Sequence, residues 1–146
     1  MTTRLEVQLL DDELGAPTRA HPGDAGLDLA ARTSATLTAA MEPVAIPTGI
    51  AVAIPTGYVG LVCPRSGLAL AQGITVLNAP GIVDTEYRGE IVVVLYRTLP
   101  APYTVQRGDR IAQLLVVPVV ADLDLVISAS LPTSRRGQSG FGSTGR

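Results

Sequence analysis

The polar chemistry of this chain is concentrated in a few short segments. Asp24-Ala-Gly-Leu-Asp28 sets two carboxylates four residues apart around a glycine. On a strand, Asp28 would alternate with Leu27 and Leu29 and point away from their face. The plainer reading makes Asp24 a turn cap and Asp28 a solvated strand residue. Cys63-Pro-Arg-Ser-Gly67 ends an apolar run with proline and then opens a short helical stretch. The free N–H groups of a helix start, beside Arg65, suit a phosphate; alternatively Ser66 is an ordinary cap and Arg65 is solvated. The densest cluster is Asn78-Ala-Pro-Gly81-Ile82-Val83-Asp84-Thr-Glu-Tyr87. An asparagine offers a donor and an acceptor to a base edge or a peptide-like ring, and a lone Asp84 in a cleft can orient and deprotonate a water. Read blandly, the same run is a hairpin with Asx turns, its Gly-Ile-Val-Asp strand ending in a carboxylate. Gln113 lies inside an apolar strand and requires a partner if buried, so it is a structural bridge or a ligand contact.

Residues 132–146 have almost nothing to bury except Phe141, and glycines at 137, 140, 142 and 145 keep them from holding a fold of their own. They read as a disordered tail or as an arm that orders over an anion. For the second reading, glycine N–H groups form the nest, Ser139, Ser143 and Thr144 donate hydroxyls, and Arg136 supplies charge. The segment has neither the spacing nor the lysine of a Walker A loop. Other polar residues read as structural. Cys63 fits inside a strand as a small hydrophobe, and His21 is a surface histidine with no metal-ligand pattern around it. Arg107-Gly-Asp109 is a turn, and Asp122 and Asp124 form the wet face of a strand that also holds Leu123 and Leu125.

Strands must position these groups. Apolar, β-branched runs are predicted at 5–10, 27–31, 35–37, 44–46, 49–54, 58–63, 74–76, 81–83, 90–98, 103–105 and 110–120. Turn signals such as Pro55-Thr-Gly57 separate them at the spacing of a sandwich or barrel. Eleven prolines leave room for only one short helix, at 66–71. At 146 residues the chain is one domain with 47% apolar residues, enough to bury a core. All eleven basic residues are arginine, and the net charge of −2 argues against a nucleic-acid surface. No apolar run reaches transmembrane length, the N-terminus lacks a signal-peptide core, and a single cysteine fits a reducing cytoplasm. Only 16% of residues are charged, against roughly 25% in an average domain, which points to surface covered by copies of the same chain.

The order of the segments says more than any one of them. AGLDL, PRSGLAL, NAPGIVDTEYRG, RGDRIAQL and RGQSGFGSTG follow one another as the five ordered motifs of the trimeric dUTPase family do, and the resemblance runs from about residue 4 to 146. It implies an all-β, β-barrel-like jelly roll over residues 1–131 with a flexible arm at 132–146 that closes over the site. It further implies a homotrimer whose active sites are shared between subunits, and a cytoplasmic enzyme with no nucleic-acid or membrane partner. The implied reaction is hydrolysis of dUTP to dUMP and pyrophosphate with Mg2+, which keeps uracil out of DNA and supplies dUMP for dTMP synthesis. On this resemblance Asp84 activates the attacking water and Asp28 holds the Mg2+ through water, the ion being chelated by the triphosphate. Arg65, Ser66, Gly67 and Gln113 meet phosphate. Asn78, Gly81, Ile82, Val83 and the backbone of Asp84 form the uracil and sugar pocket, with Tyr87 under the deoxyribose. Arg136 meets the γ-phosphate, Phe141 stacks on uracil, and Gly142 and Ser143 complete the arm's contacts. Val92 stands where many relatives have Lys or Met, so its contact is expected through backbone. Two other readings remain: a dCTP deaminase-like or bifunctional nucleotide enzyme, and a nucleotide-binding relative without catalysis.

Overall fold

The computed structural model describes residues 3–38 and 42–138. Among these residues the chain forms ten strands and one helix: β1 (Glu6–Leu9), β2 (Leu27–Ala30), β3 (Ala35–Leu37), β4 (Val44–Ala53), β5 (Tyr58–Cys63), α1 (Ser66–Gln72), β6 (Ile74–Val76), β7 (Gly81–Val83), β8 (Glu90–Arg97), β9 (Tyr103–Val105) and β10 (Arg110–Pro118). All pairings are antiparallel. One sheet runs β1-β4-β8-β6, a second runs β2-β10-β5-β7, and β3 pairs with β9. The two large sheets turn their apolar faces together in a jelly roll. Ile46, Val52, Val93 and Leu95 come from one sheet, and Leu29, Val62, Val83 and Leu114 from the other; all are buried. Alternation sets this arrangement: along β8, Ile91, Val93 and Leu95 are buried while Val92 and Val94 are not.

Three expectations need correction. First, the runs at 44–46 and 49–54 are one strand. Pro47 and Gly49 do not end β4; they make a bulge in it, with Pro47 opposite Val92 and Ala51 opposite Glu90. Gly49 has φ +74, a region that favours glycine, and the bulge's polar groups are satisfied from β8. Thr48 Oγ1 donates to the Ile91 carbonyl at 2.7 Å, and the Gly49 N–H donates to Glu90 Oε1 at 2.7 Å. Second, β7 is not half of a local hairpin. Residues 77–80, including a cis Ala79–Pro80 bond, carry the chain from one sheet to the other, and β7 pairs with β5. Third, the alternation of Asp122 and Asp124 with leucines does not mark a strand. Residues 119–138 form no strand or helix and are exposed throughout, with Leu125 87% and Ile127 101% exposed.

Candidate functional site

A charged cavity sits on the outer face of the second sheet. Asp28, Gln113 and Cys63 lie opposite one another across β2, β10 and β5, and directly opposed residues share a face. Their neighbours Leu29, Ala112, Leu114 and Val62 point into the core. Asp28 is therefore half-buried, and its carboxylate accepts from two arginines: Arg65 Nε to Oδ1 at 3.1 Å and Arg110 Nη1 to Oδ2 at 3.1 Å. The expectation of a merely solvated Asp28 does not hold. Gln113 Nε2 donates to the Pro64 carbonyl at 2.9 Å, so the amide ties the cavity floor to the start of α1. Gly26 lies against Gln113 so closely that a Cβ there would overlap its side-chain oxygen. The cavity measures about 310 Å³ and also takes in Asp24, Ser66 and Gly67.

Two residues behave differently from their plain readings. Ser66 is not the cap of α1: Arg65 holds the N-cap position and no side chain caps the helix, which leaves Ser66 and Gly67 exposed on the cavity rim. Cys63 faces outward in the Asp28 row and is only half-buried. Asp24 does cap a turn, accepting the His21 N–H at 2.8 Å, and His21 is exposed. Arg110 was not among the expected site residues. Its signal lies in its spacing of three from Gln113, but only the pairing of β10 with β2 shows that it reaches Asp28.

A second cavity, about 140 Å³, opens between strand edges. The β6–β8 ladder ends where the Leu77 N–H reaches the Val94 carbonyl at 2.8 Å. Beyond it the chain crosses to β7, an edge strand of the other sheet. The parted edges enclose a space lined by Asn78, Gly81, Ile82, Val83, Tyr87 and Val92, with unpaired strand groups available to a ligand. Tyr87 lies over Gly89, where a Cβ would come within 2.7 Å of its Cζ. The tyrosine hydroxyl donates to the Glu90 carbonyl at 2.9 Å. Asp84 directly follows β7 and is exposed; its carbonyl accepts the Tyr87 N–H at 3.2 Å in the turn that returns the chain to β8.

The two cavities share no residue. From Asp28 to Asp84 the register counts three strand spacings across and four residues along, about 20 Å on ordinary sheet dimensions. Asp28, Arg65, Ser66, Gly67 and Gln113 thus gather in one place, and Asn78, Gly81, Ile82, Val83, Asp84, Tyr87 and Val92 in another. Arg136 is exposed in the segment after β10, beside a turn in which the Gly137 N–H meets the Ser134 carbonyl at 3.1 Å. Phe141, Gly142 and Ser143 lie outside the described residues.

The dUTPase family model matches residues 12–145. The deoxyuridine 5'-triphosphate nucleotidohydrolase of Leifsonia xyli subsp. xyli is 47% identical over 146 residues, covering 99% of this chain and 93% of that protein. Among solved structures, the dUTPase of Staphylococcus bacteriophage 80alpha with dUPNHPP superposes with a TM-score of 0.90 at 28% identity, covering 99% of this chain and 100% of that one. A mutant dUTPase from phage phi11 of S. aureus, described for its coordination of a structural Mg(II) ion, has a TM-score of 0.81 at 26% identity, covering 90% of this chain and 100% of that one. The chain belongs to the dUTPase family.

Proposed function

We propose that this protein hydrolyses dUTP to dUMP and pyrophosphate, with each active site assembled from the edge cavity of one copy and the charged cavity of another. The observation that carries this reading is the separation of Asp84 from Asp28. A general base must lie within hydrogen-bond reach of its water. Two carboxylates about 20 Å apart on one sheet therefore cannot serve one triphosphate within a single chain. A second copy closes the distance. The segment 119–131 supports the same conclusion, since a lone domain rarely leaves so much contiguous apolar surface in water; a homotrimer that covers it fits the low charge content.

Each group then has a task. The Asn78 amide and the open edge of β7 read the uracil. Gly81 leaves room for it, since a Cβ there would stand 3.4 Å from Asn78 Nδ2. Ile82, Val83 and the Val92 backbone wall the pocket, and the Tyr87 ring lies under the deoxyribose where a 2′-hydroxyl would not fit. Asp84 takes a proton from a water in line with the bond between the α-phosphorus and its bridging oxygen. The new P–O bond forms as that bond breaks, giving dUMP and pyrophosphate. Arg65, Gln113 and the exposed Ser66–Gly67 rim hold the phosphate oxygens. Arg136, Phe141, Gly142 and Ser143 belong to the arm that closes over the nucleotide.

Mg2+ fits this site as a companion of the substrate. No cluster of three or more ligating side chains occurs among the described residues, and both oxygens of Asp28 are engaged by guanidinium groups. One carboxylate suits an ion bound chiefly by phosphates and water. When bound, the ion supplies charge neutralisation for the triphosphate. The chain has no described helix long and apolar enough to cross a membrane, and we place the enzyme in the cytoplasm, keeping uracil out of DNA and feeding dTMP synthesis.

The test mixes two inactive proteins. Asp84→Asn and Asp28→Asn are refolded together and assayed for pyrophosphate release from dUTP, with Mg2+ and with EDTA. Random mixing should restore about a quarter of the sites, and EDTA should abolish the recovered rate. If the mixture stays as inactive as its parents, the shared site is wrong. If the unmodified protein releases no pyrophosphate from dUTP, the reaction itself is wrong.

A further inference from the structure

Behind the edge cavity, a set of ion pairs runs through the fold without touching either cavity until its last member. Arg107, in the turn before β10, grips Asp11 with both nitrogens, Nη1 to Oδ2 at 2.6 Å and Nη2 to Oδ1 at 2.9 Å. Asp11 Oδ2 lies 3.4 Å from Arg32 Nε. Arg32 Nη1 faces both Glu90 oxygens at 3.3 Å, and its Nη2 donates to the Leu10 carbonyl at 2.8 Å. Glu90 in turn accepts the Gly49 N–H that the β4 bulge leaves unpaired. The Asp11 side chain is 13% exposed and that of Glu90 22%, so these contacts are partly shielded and worth more than rim pairs. The Glu90 carbonyl is the acceptor for Tyr87. The four side chains, from separate parts of the sequence, thus end on the residue whose main-chain carbonyl anchors this ring.

We propose that Arg107, Asp11, Arg32 and Glu90 are positioning residues for Tyr87, and that through it they set the preference for a 2′-deoxyribose over a ribose nucleotide. The inference rests on the reading of Tyr87 as the floor beneath the sugar. The physical link is stiffness. Tyr87 is 46% exposed and sits in a turn, so its ring is held by Gly89 beneath it and by one hydrogen bond. That bond is only as well placed as the Glu90 backbone. Glu90 opens β8 opposite a bulge, where the sheet's own ladder constrains it least; its carboxylate supplies the missing constraint. Hydrogen bonding from Arg107 holds the Asp11 carboxyl down at about 2, so the central member stays charged at every pH at which the enzyme would work. A sugar wall that moves loses discrimination before it loses affinity for the phosphates.

The experiment measures kcat/KM for dUTP and for UTP in the wild type, Asp11→Asn, Tyr87→Ala and the double variant. Asp11→Asn removes the charge that both arginines face, and one of the two acceptor oxygens, from a residue that lines neither cavity. It should lower the dUTP-to-UTP ratio about tenfold, as small misplacements remote from the chemistry can, mostly through a gain in kcat/KM for UTP. In the Tyr87→Ala background the same change should leave the ratio unaltered, because the group it positions is gone. An unchanged ratio in Asp11→Asn, or an equal further fall in the Tyr87→Ala background, overturns the proposal and leaves the network a purely structural one. If Tyr87→Ala itself keeps the wild-type ratio, the sugar-floor reading fails, and the positioning role fails with it. Should Asp11→Asn not fold, Arg107→Gln, which keeps Asp11 on Arg32, is measured in the same four-way comparison with the same outcomes.

Discussion

The two cavities are built on opposite principles. In the charged one, the charged and amide side chains on the strands and at Arg65 are already paired: Asp28 with Arg65 and Arg110, Gln113 with Pro64. A triphosphate entering there must exchange one set of charge contacts for another, and affinity depends on how well that exchange balances. The edge cavity has Glu90 as its one charged lining residue, with Asp84 directly after its β7 wall. It is shaped by strand edges, by the crossing at residues 77–80 and by a tyrosine lying on a glycine. One half of the site responds to charge, the other to volume. Chemistry that must neutralise a polyanion and also reject a single hydroxyl needs both, and within one chain the fold keeps them apart.

The largest expected effect tests the charge proposed to activate water beside the edge cavity. Asp84→Asn keeps the size of the side chain and removes its basicity, so turnover should fall about 10³-fold, within the range for loss of a general base, while nucleotide binding by calorimetry stays within a fewfold of wild type. A parallel loss of binding would mean that Asp84 holds substrate rather than activating water, and the contrast between the halves would weaken.

Each half also contains a glycine whose missing Cβ makes room for a working side chain, and the pair offers a sharper comparison. Gly26→Ala places a methyl group on the Gln113 amide, and Gly89→Ala places one against the Tyr87 ring. Each should destabilise by about 1–3 kcal/mol, as overpacking does, measured by denaturant unfolding. Their functional signatures should differ. Gly26→Ala should raise KM about tenfold and weaken inhibition by pyrophosphate, with the dUTP-to-UTP ratio intact. Gly89→Ala should lower that ratio and leave pyrophosphate inhibition unchanged. Identical signatures would show the two cavities to be one mechanical unit.

How far such a site can be read from sequence follows the same division. The placement of groups tied to local patterns is legible: Asp28 on its alternating strand, Gln113 inside an apolar run, Asp84 at the end of Gly-Ile-Val. Nearly every strand falls within a residue or two of its predicted span, because period-two burial is a local property. What escaped depends on register. Pro47 and Gly49 read as breakers, yet Thr48 and Gly49 find partners on β8, more than forty residues away. Arg110 reaches Asp28 only through the β10–β2 pairing, and β7 joins β5 rather than its sequence neighbours. The alternation at 122–125 predicts a strand, yet residues 119–138 form none and are exposed. The five ordered motifs carried the family assignment, while the spacing between the cavities had to come from the sheets.

The smallest effect concerns the ion pairs that stand behind the edge cavity and, among the described residues, have no counterpart behind the charged one. Asp11 faces Arg107 and Arg32, with Glu13 sharing Arg107 at 2.9 Å. Hydrogen bonds from Arg107 are the main reason its carboxyl titrates at about 2 instead of 3.8. A carboxyl whose folded value is depressed contributes stability that is complete above its unfolded value and disappears as pH falls through the folded one. The contribution of Asp11 should therefore be intact at pH 4 and above, and be lost between about 3.8 and 2. Carbon-13 NMR of the side-chain carboxyl should give a midpoint near 2 in the wild type, moving up toward 3.8 in Arg107→Gln. The same substitution should leave the chemical shifts of the Asp28 row unchanged, since no side chain of the network bonds to Asp28 or Gln113. A shift spreading to Asp28 would show that the network braces both cavities, and the dUTP-to-UTP ratio would then no longer be the right measure of what these four residues do.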